Sequence, residues 1–476
     1  MTDKKITLTE EQKRAVNMPT GKPTLIKGVA GSGKSTIALY RASKLLRPDQ
    51  VEDNMSLGLD EPTSINGAIF TFNKQLIAYL EEQIDAQGLD EEIELTNYHK
   101  WAYHMAVKYN LTYTKNGQKR RLRVITGKEQ NPIIEAAIKK VKVNSESSVL
   151  SKPTEFFKDE ISWIKGQNIK SFESYLAIKR VGRGTKIRLD ESSRTAVWEV
   201  YECYESEKLE SGYDFDDFAL LVKKKQQLGQ LKDKYDFLII DEVQDLTKVQ
   251  IETLIESVKE VNGERAITFV GDVAQRIYKS NFSWSSVGVE IRGRSRELRD
   301  NYRNTREIYE AALQLVKGIK TEEDTDIRYL PHSGRAPFVR GFENKSQEFF
   351  FVMKCISRIL EGSSDSSIAV LAQSNEIVEQ FQMFWDENHE AFGLSNRHIS
   401  NLKILTMHAA KGLEFDVVFL VDLNKEFYEE QAEDEEDEEQ VILKRKLLYV
   451  AMTRAKKDLM ITYTGELTPL LSFLEK

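Results

Sequence analysis

Only two cysteines, Cys203 and Cys355, occur in 476 residues. They stand too far apart to frame a disulfide-stapled fold or a thiolate zinc site. The six histidines show no metal-ligand spacing, so no structural metal is expected. No apolar run approaches the roughly 18 residues that span a bilayer. The longest, such as Phe237–Ile240 and Val417–Val421, are far shorter, and no membrane partner is expected. The opening MTDKKITLTEEQKRAVN has no apolar stretch, so the reading expects no secretory signal and a reducing, cytoplasmic setting. Internal repeats and Pro-rich or Gly/Ser-rich linkers are also lacking.

What is present describes a folded chain of two to four domains, 40% hydrophobic and 30% charged. Its net charge of −8 is unevenly spread. Residues 426–439, EFYEEQAEDEEDEE, hold ten acidic side chains and no basic one, and setting them aside leaves +2. This run reads as a solvated loop. Residues 111–142 hold nine Lys/Arg against two Glu, and KRVGRGTKIR at 179–188 is a second basic stretch. Each reads either as a nucleic-acid contact or as a solvated face.

Short apolar runs alternate with helical patterns, which predicts an α/β fold with parallel sheets. Expected strands are 23–29, 66–72, 92–96, 235–241 and 265–272 in the first half. The second half offers 366–372, 401–407, 416–422 and 458–464. Two sheets follow, split near residue 290. About 130 residues before 235 lack comparable strands and read as a helical insertion.

GVAGSGKS at 28–35 follows a strand and precedes a helix. Glycines there let backbone N–H groups turn towards phosphates, Lys34 can reach the β/γ-phosphates, and the Ser35 hydroxyl can ligate Mg²⁺. DEVQD at 241–245 follows the strand YDFLII. Asp241 would hold Mg²⁺ through water and Glu242 would activate the attacking water. In GDVAQ, Gln275 is suited to sense a γ-phosphate, because an amide both donates and accepts. Positive charge must also reach the γ-phosphate, and Arg303 in DNYRN and Arg454 in YVAMTRAKK are the candidates.

The ordered set resembles the UvrD/Rep/PcrA-type helicases of superfamily 1. LTEEQKRAVN resembles their Q motif, GVAGSGKST motif I, FTFNK motif Ia and TNYHKWA motif Ib. IIDEVQD resembles motif II, FVGDVAQRIY motif III and LRDNYRN motif IV. TMHAAKGLEFDVVFLV and LLYVAMTRAK resemble motifs V and VI. The resemblance runs from Gln12 to Lys456. It implies two tandem RecA-like domains that bind ATP and Mg²⁺ in the cleft between them. Gly28, Ala30, Gly31, Ser32, Gly33, Lys34, Ser35 and Thr36 would cradle the nucleotide, with Gln12 reading adenine and Tyr302 stacking on it. Glu414 would contact the ribose or γ-phosphate region, and Arg303 and Arg454 would be arginine fingers. His408 and Lys411 would couple ATP to the track. Phe72, His99, Tyr278 and Trp284, with Asn73 and Trp101 beside them, would contact single-stranded DNA.

The domains so implied are 1A at 1–108 and 200–290, a helical 1B at 109–199, and 2A at 291–476. Arg303 and Thr406 are too close in sequence for the relatives' 2B insertion, which is expected to be absent or vestigial. No nuclease domain is expected after Lys476. The function implied is an ATP-dependent translocase or helicase moving 3′ to 5′ on single-stranded DNA, encoded by a bacterium, phage or plasmid. The alternative is an ATP-gated remodelling subunit whose protein partner docks at the acidic run. A P-loop kinase or GTPase would leave the last two motifs without a place.

Overall fold

The computed structural model describes residues 8–28, 31–46, 65–71, 93–109, 112–178, 189–271, 283–301, 303–317, 319, 328–329, 333–363, 365–393, 401–428 and 435–475. Two compact units divide them. The first is built from residues up to Ile26, Ser35–Gly271 and on to Arg296. The second comprises Lys27–Lys34 and Glu297 onward.

The first unit carries, wholly or in part, β1 (Thr24–Gly28), β2 (Gly67–Phe70), β3 (Ile93–Thr96), β4 (Thr112–Lys115), β5 (Gln118–Arg121), β6 (Phe237–Ile240), β7 (Glu260–Val261), β8 (Glu264–Gly271) and β9 (Ser295–Leu298). Its main sheet has the order β3-β2-β6-β8-β1-β9, with β7 alongside β8. Strands β3, β2, β6 and β8 pair in parallel. Parallel strands need both faces covered, and β2 and β6 are buried at every residue. Their apolar runs can satisfy that geometry only in a sheet interior. The sheet continues past residue 290 into β9, whose mostly polar sequence SREL carries no strand signal.

The insertion is not purely helical. It opens with the antiparallel ribbon β4–β5, turning at Asn116 and Gly117, which both have positive φ. Asn-Gly is the dipeptide that such a two-residue turn requires. QKRR has no apolar face, so the sequence pattern alone does not mark it as a strand. Helices Gly127–Lys142, Thr154–Gly166, Phe172–Ala177 and Glu191–Lys208 follow. They close around Ile134, Phe157, Ile161, Trp163, Tyr175 and Trp198.

The second unit holds β10 (Asp300–Asn301), β11 (Arg328–Tyr329), β12 (Phe338–Phe342), β13 (Ile368–Ala372), β14 (Leu402–Thr406), β15 (Phe415–Leu420) and β16 (Ala455–Thr464). Five of these form a wholly parallel sheet, β12-β16-β15-β13-β14. All nine runs expected as strands lie in one sheet or the other. Between Arg303 and Thr406 the described strands and helices belong to this second α/β unit.

The acidic run corrects one expectation. Glu435–Met452 is a single helix, so 435–439 form its first turns rather than a loop. Glutamate is a good helix former. Residues 429–434 lie outside the described residues. No described helix is long and apolar enough to cross a membrane.

Candidate nucleotide-binding site

The glycine loop leaves the end of β1 and enters the helix Lys34–Leu46. Gly31 and Gly33 have φ of 78° and 81°, a region that L side chains rarely adopt. Lys34 is buried, and its ammonium donates to the Gly28 carbonyl at 3.0 Å. Ser32 is buried beside Gly28. Thr36 is half-buried on the following helix.

Asp241 sits just beyond β6, where its N–H donates to the Phe70 carbonyl at 2.7 Å. The Ser35 hydroxyl donates to Asp241 Oδ2 at 2.9 Å, although 206 positions separate them in sequence. Two hard oxygen donors thus converge beside the loop, a donor set that fits Mg²⁺. Glu242 takes a left-handed φ of 51°, and its carboxylate accepts from the Gln244 amide. A methyl group on Gly271 would come within 2.6 Å of Gln244 Oε1, so only glycine leaves room there.

The loop lies against Arg303. A methyl group on Gly31 would be 2.5 Å from Arg303 Cβ and 2.5 Å from Asn301 Oδ1. Arg303 Nη2 forms an ion pair with Glu414, and its Nε is buried with no acceptor among the described residues. Lys456 reaches the other oxygen of Glu414 at 3.4 Å. Burial raises the Glu414 carboxyl, but Arg303, Lys456 and Arg454 outweigh it and hold it below the usual carboxylate range. Arg454 is 2% exposed. Its guanidinium donates to the carbonyls of Val450 at 2.9 Å and Leu413 at 3.2 Å. It thereby braces the turn that bears Glu414.

Two residues that sequence reasoning missed hold this arrangement. Asn301 Oδ1 accepts from the N–H groups of Arg303 at 2.9 Å and Asn304 at 3.2 Å. The Asn304 amide donates to the carbonyls of Thr453 at 3.0 Å and Ala455 at 2.5 Å. Asparagines flanking the tyrosine and arginine in DNYRN were the available signal, because short amides fold back onto backbone groups. Gln12, expected to read adenine, is buried, and its amide oxygen accepts from the Thr9 N–H at 3.1 Å. It is the N3 residue of a capping box that T-E-E-Q already spelled out.

The expected track residues divide. Trp101 is a correction: it is 2% exposed and packs edge-on against Phe70 at 5.6 Å, in the core, so no base can stack on it. Trp284 is half-buried and tilts against Phe269 with ring centroids 4.7 Å apart, so much of its surface is spent on packing. An apolar period cannot tell a stacking platform from a core ring. His99 is half-buried and contacts Phe215 at 5.2 Å, and Phe215 is 45% exposed. Burial holds the His99 imidazole below its ordinary value. Phe215 was missed because DFDDF reads as a capped helix start, which it also is. His408 is exposed and Lys411 is buried. Loss of hydration and then the Lys411 ammonium lower the His408 imidazole. Ala30, Phe72, Asn73, Gln275, Tyr278 and Tyr302 lie outside the described residues, as does the basic stretch at 179–188. In the other basic stretch Lys115, Lys119, Arg120, Arg121 and Arg123 are all exposed on or beside the β4–β5 ribbon.

Two family models match the chain. The UvrD/REP helicase N-terminal domain matches residues 8–283, and the UvrD-like helicase C-terminal domain matches 386–466. The chain is 23% identical to a "Probable DNA helicase" of Mycoplasma pneumoniae, over 95% of this chain and 83% of that one. It is 24% identical to the ATP-dependent DNA helicase srs2 of Schizosaccharomyces pombe, over 79% of this chain and 42% of that one. It is 34% identical to DNA helicase II of Rickettsia typhi, over 25% of this chain and 17% of that one. The chain therefore spans most of the first relative and less than half of the other two.

Proposed function

The chain belongs to the UvrD/REP helicase family, and from that premise we propose that it hydrolyses ATP to move 3′ to 5′ along single-stranded DNA. One observation carries the reading. Arg303 lies against Gly31 of the glycine loop with a buried, unmatched Nε, while Glu414 holds its Nη2. A γ-phosphate seated in the loop supplies the missing acceptor and competes with Glu414 for the guanidinium.

Lys34 steadies the β- and γ-phosphates. Ser35 and Asp241 would hold Mg²⁺, which supplies charge neutralisation at those phosphates. Glu242, oriented by Gln244, takes the proton from the attacking water. Arg303 stabilises charge on the transferring phosphoryl group. Its contact lasts only while the γ-phosphate is attached, so ATP and ADP differ in what they stabilise. That difference can drive a conformational cycle. The exposed basic ribbon and the His99–Phe215 ring pair support a nucleic-acid track, with cations for phosphates and rings for bases. Free Cys203 and Cys355 fit a cytoplasmic location.

ATPase measured with no polymer, single-stranded DNA, duplex DNA and RNA tests the substrate. Tailed duplexes of each polarity test the direction. Strong stimulation by single-stranded DNA and activity on 3′-tailed substrates are expected. Undiminished turnover in Glu242→Gln would refute the assignment of the base.

A further inference from the structure

The first unit contains a cavity of about 410 Å³ that the mechanism above does not use. One wall is the outer face of the helix Glu10–Val16, the other the segment Gly293–Arg296 leading into and along β9. Lys13, Arg14, Arg294 and Arg296 line it, against the single carboxylate Glu10. The volume suits a nucleotide-sized group.

These four cations are not equally engaged. Lys13 pairs with Glu10 at 2.7 Å, and Arg294 with Glu264 at 3.2 Å. Glu10 is held below its ordinary value by Lys13 first, with Arg14 contributing. Among the described residues Arg296 donates only to the adjoining Ser295 carbonyl, at 3.3 Å. Neither Arg14 nor Arg296 has a carboxylate at ion-pair distance among the described residues. Both are exposed. A concave wall of one sign concentrates counter-ions of the other, and guanidinium forks match phosphate oxygens in pairs.

We propose that this groove binds the phosphodiester backbone of a nucleic-acid strand, as a second contact apart from the base-stacking track. The proposal rests on the nucleic-acid reading above and adds a place to it. Arginines that meet only phosphates carry no sequence preference, so the groove strengthens grip without reading bases. It also sets part of the salt dependence of binding, because each neutralised phosphate releases condensed counter-ions.

The test compares wild type with Arg14→Glu/Arg296→Glu, and with Lys354→Glu/Arg358→Glu, exposed residues remote from the groove in sequence, as a variant of equal charge change. Binding of a 20-nucleotide oligo-dT is titrated across salt, with oligo-rU and inorganic polyphosphate as parallel arms. Losing two phosphate contacts should make the slope of log K against log salt shallower by about 1.4, at about 0.7 per contact on single strands. The remote variant should keep the wild-type slope. Equal losses for oligo-dT and oligo-rU are expected. A groove variant that matches the remote variant would overturn the groove, as would a loss confined to polyphosphate. Failure of wild type to bind either strand would instead overturn the nucleic-acid reading itself. A cross-linker at Arg296→Cys gives a second readout should the double variant fail to fold. Cross-linking to the oligonucleotide is expected, and its absence while that protein still binds the strand counts against the groove.

Discussion

In the helical insertion, Lys165 and Lys208 are almost wholly buried. Each ammonium meets Glu205, Asp214 and Asp217 at 2.5–3.3 Å. At the glycine loop Lys34 is also buried, yet its ammonium rests on the Gly28 carbonyl, and the Asp241 carboxylate on the Ser35 hydroxyl. In the insertion the opposite charges already neutralise each other. At the loop, a backbone carbonyl accepts from the ammonium and a hydroxyl donates to the carboxylate, contacts that a triphosphate and its cation can replace. The three insertion carboxylates lie close enough together to suit a metal ion, but the two ammonium groups already fill that place. Burial of a lysine therefore does not by itself separate a structural group from a functional one; the partners it meets do.

The comparison can be broken most sharply at Lys34. Lys34→Ala should lower DNA-stimulated ATPase by roughly hundredfold or more, while urea unfolding shifts by about 1 kcal/mol or less. Severe destabilisation instead would mean that the lysine is a structural group like those of the insertion. Lys165→Met should do the reverse. It leaves Asp214 and Asp217 short of a buried partner, and chemical denaturation should register a loss of about 3–5 kcal/mol.

A third change reads the knot through pH. Burial, and then Asp214, push the Asp216 carboxyl up to about 7 from its ordinary 3.8. The folded state therefore holds this proton more tightly than the unfolded chain. Its contribution to stability is full below about pH 4 and is lost as pH rises through 7. Asp216→Asn should accordingly be more stable than wild type at pH 8, with the gap closing by pH 4. Thermal melts at both pH values decide it, and a gap independent of pH would remove Asp216 from the knot. The smallest effect belongs to Glu205→Gln. That carboxylate is 31% exposed, so solvent screens it, and about 1 kcal/mol or less should be lost. A loss as large as that of Lys165→Met would show that the rim matters as much as the centre.

The fold was legible where local pattern and long-range packing demand the same thing. FLII and VVFLV can be buried on both faces only in a parallel sheet, and they are. Strands β5 and β9 were not legible, because all of β5 and three of the four residues of β9 are polar. The loop residues Gly31, Gly33, Lys34 and Ser35 could be read directly. Their chemistry depends on spacing along a few residues. The aromatics could not be sorted that way: Trp101 stands in the same motif as His99, two residues on, but burial depends on neighbours far off in sequence.

The amino-acid order alone determined a phosphate loop, a carboxylate pair after a buried strand, and two sheets to carry them, because each of these is local in the chain. Tertiary structure decided that Arg303 meets Glu414, that Asn304 holds the backbone of Thr453 and Ala455, and that two lysines are sealed among carboxylates. Apart from the Lys208 contacts, those partners lie tens to hundreds of residues apart. Ion pairs and hydrogen bonds act over a few ångströms, a distance the fold sets and the order of residues does not express.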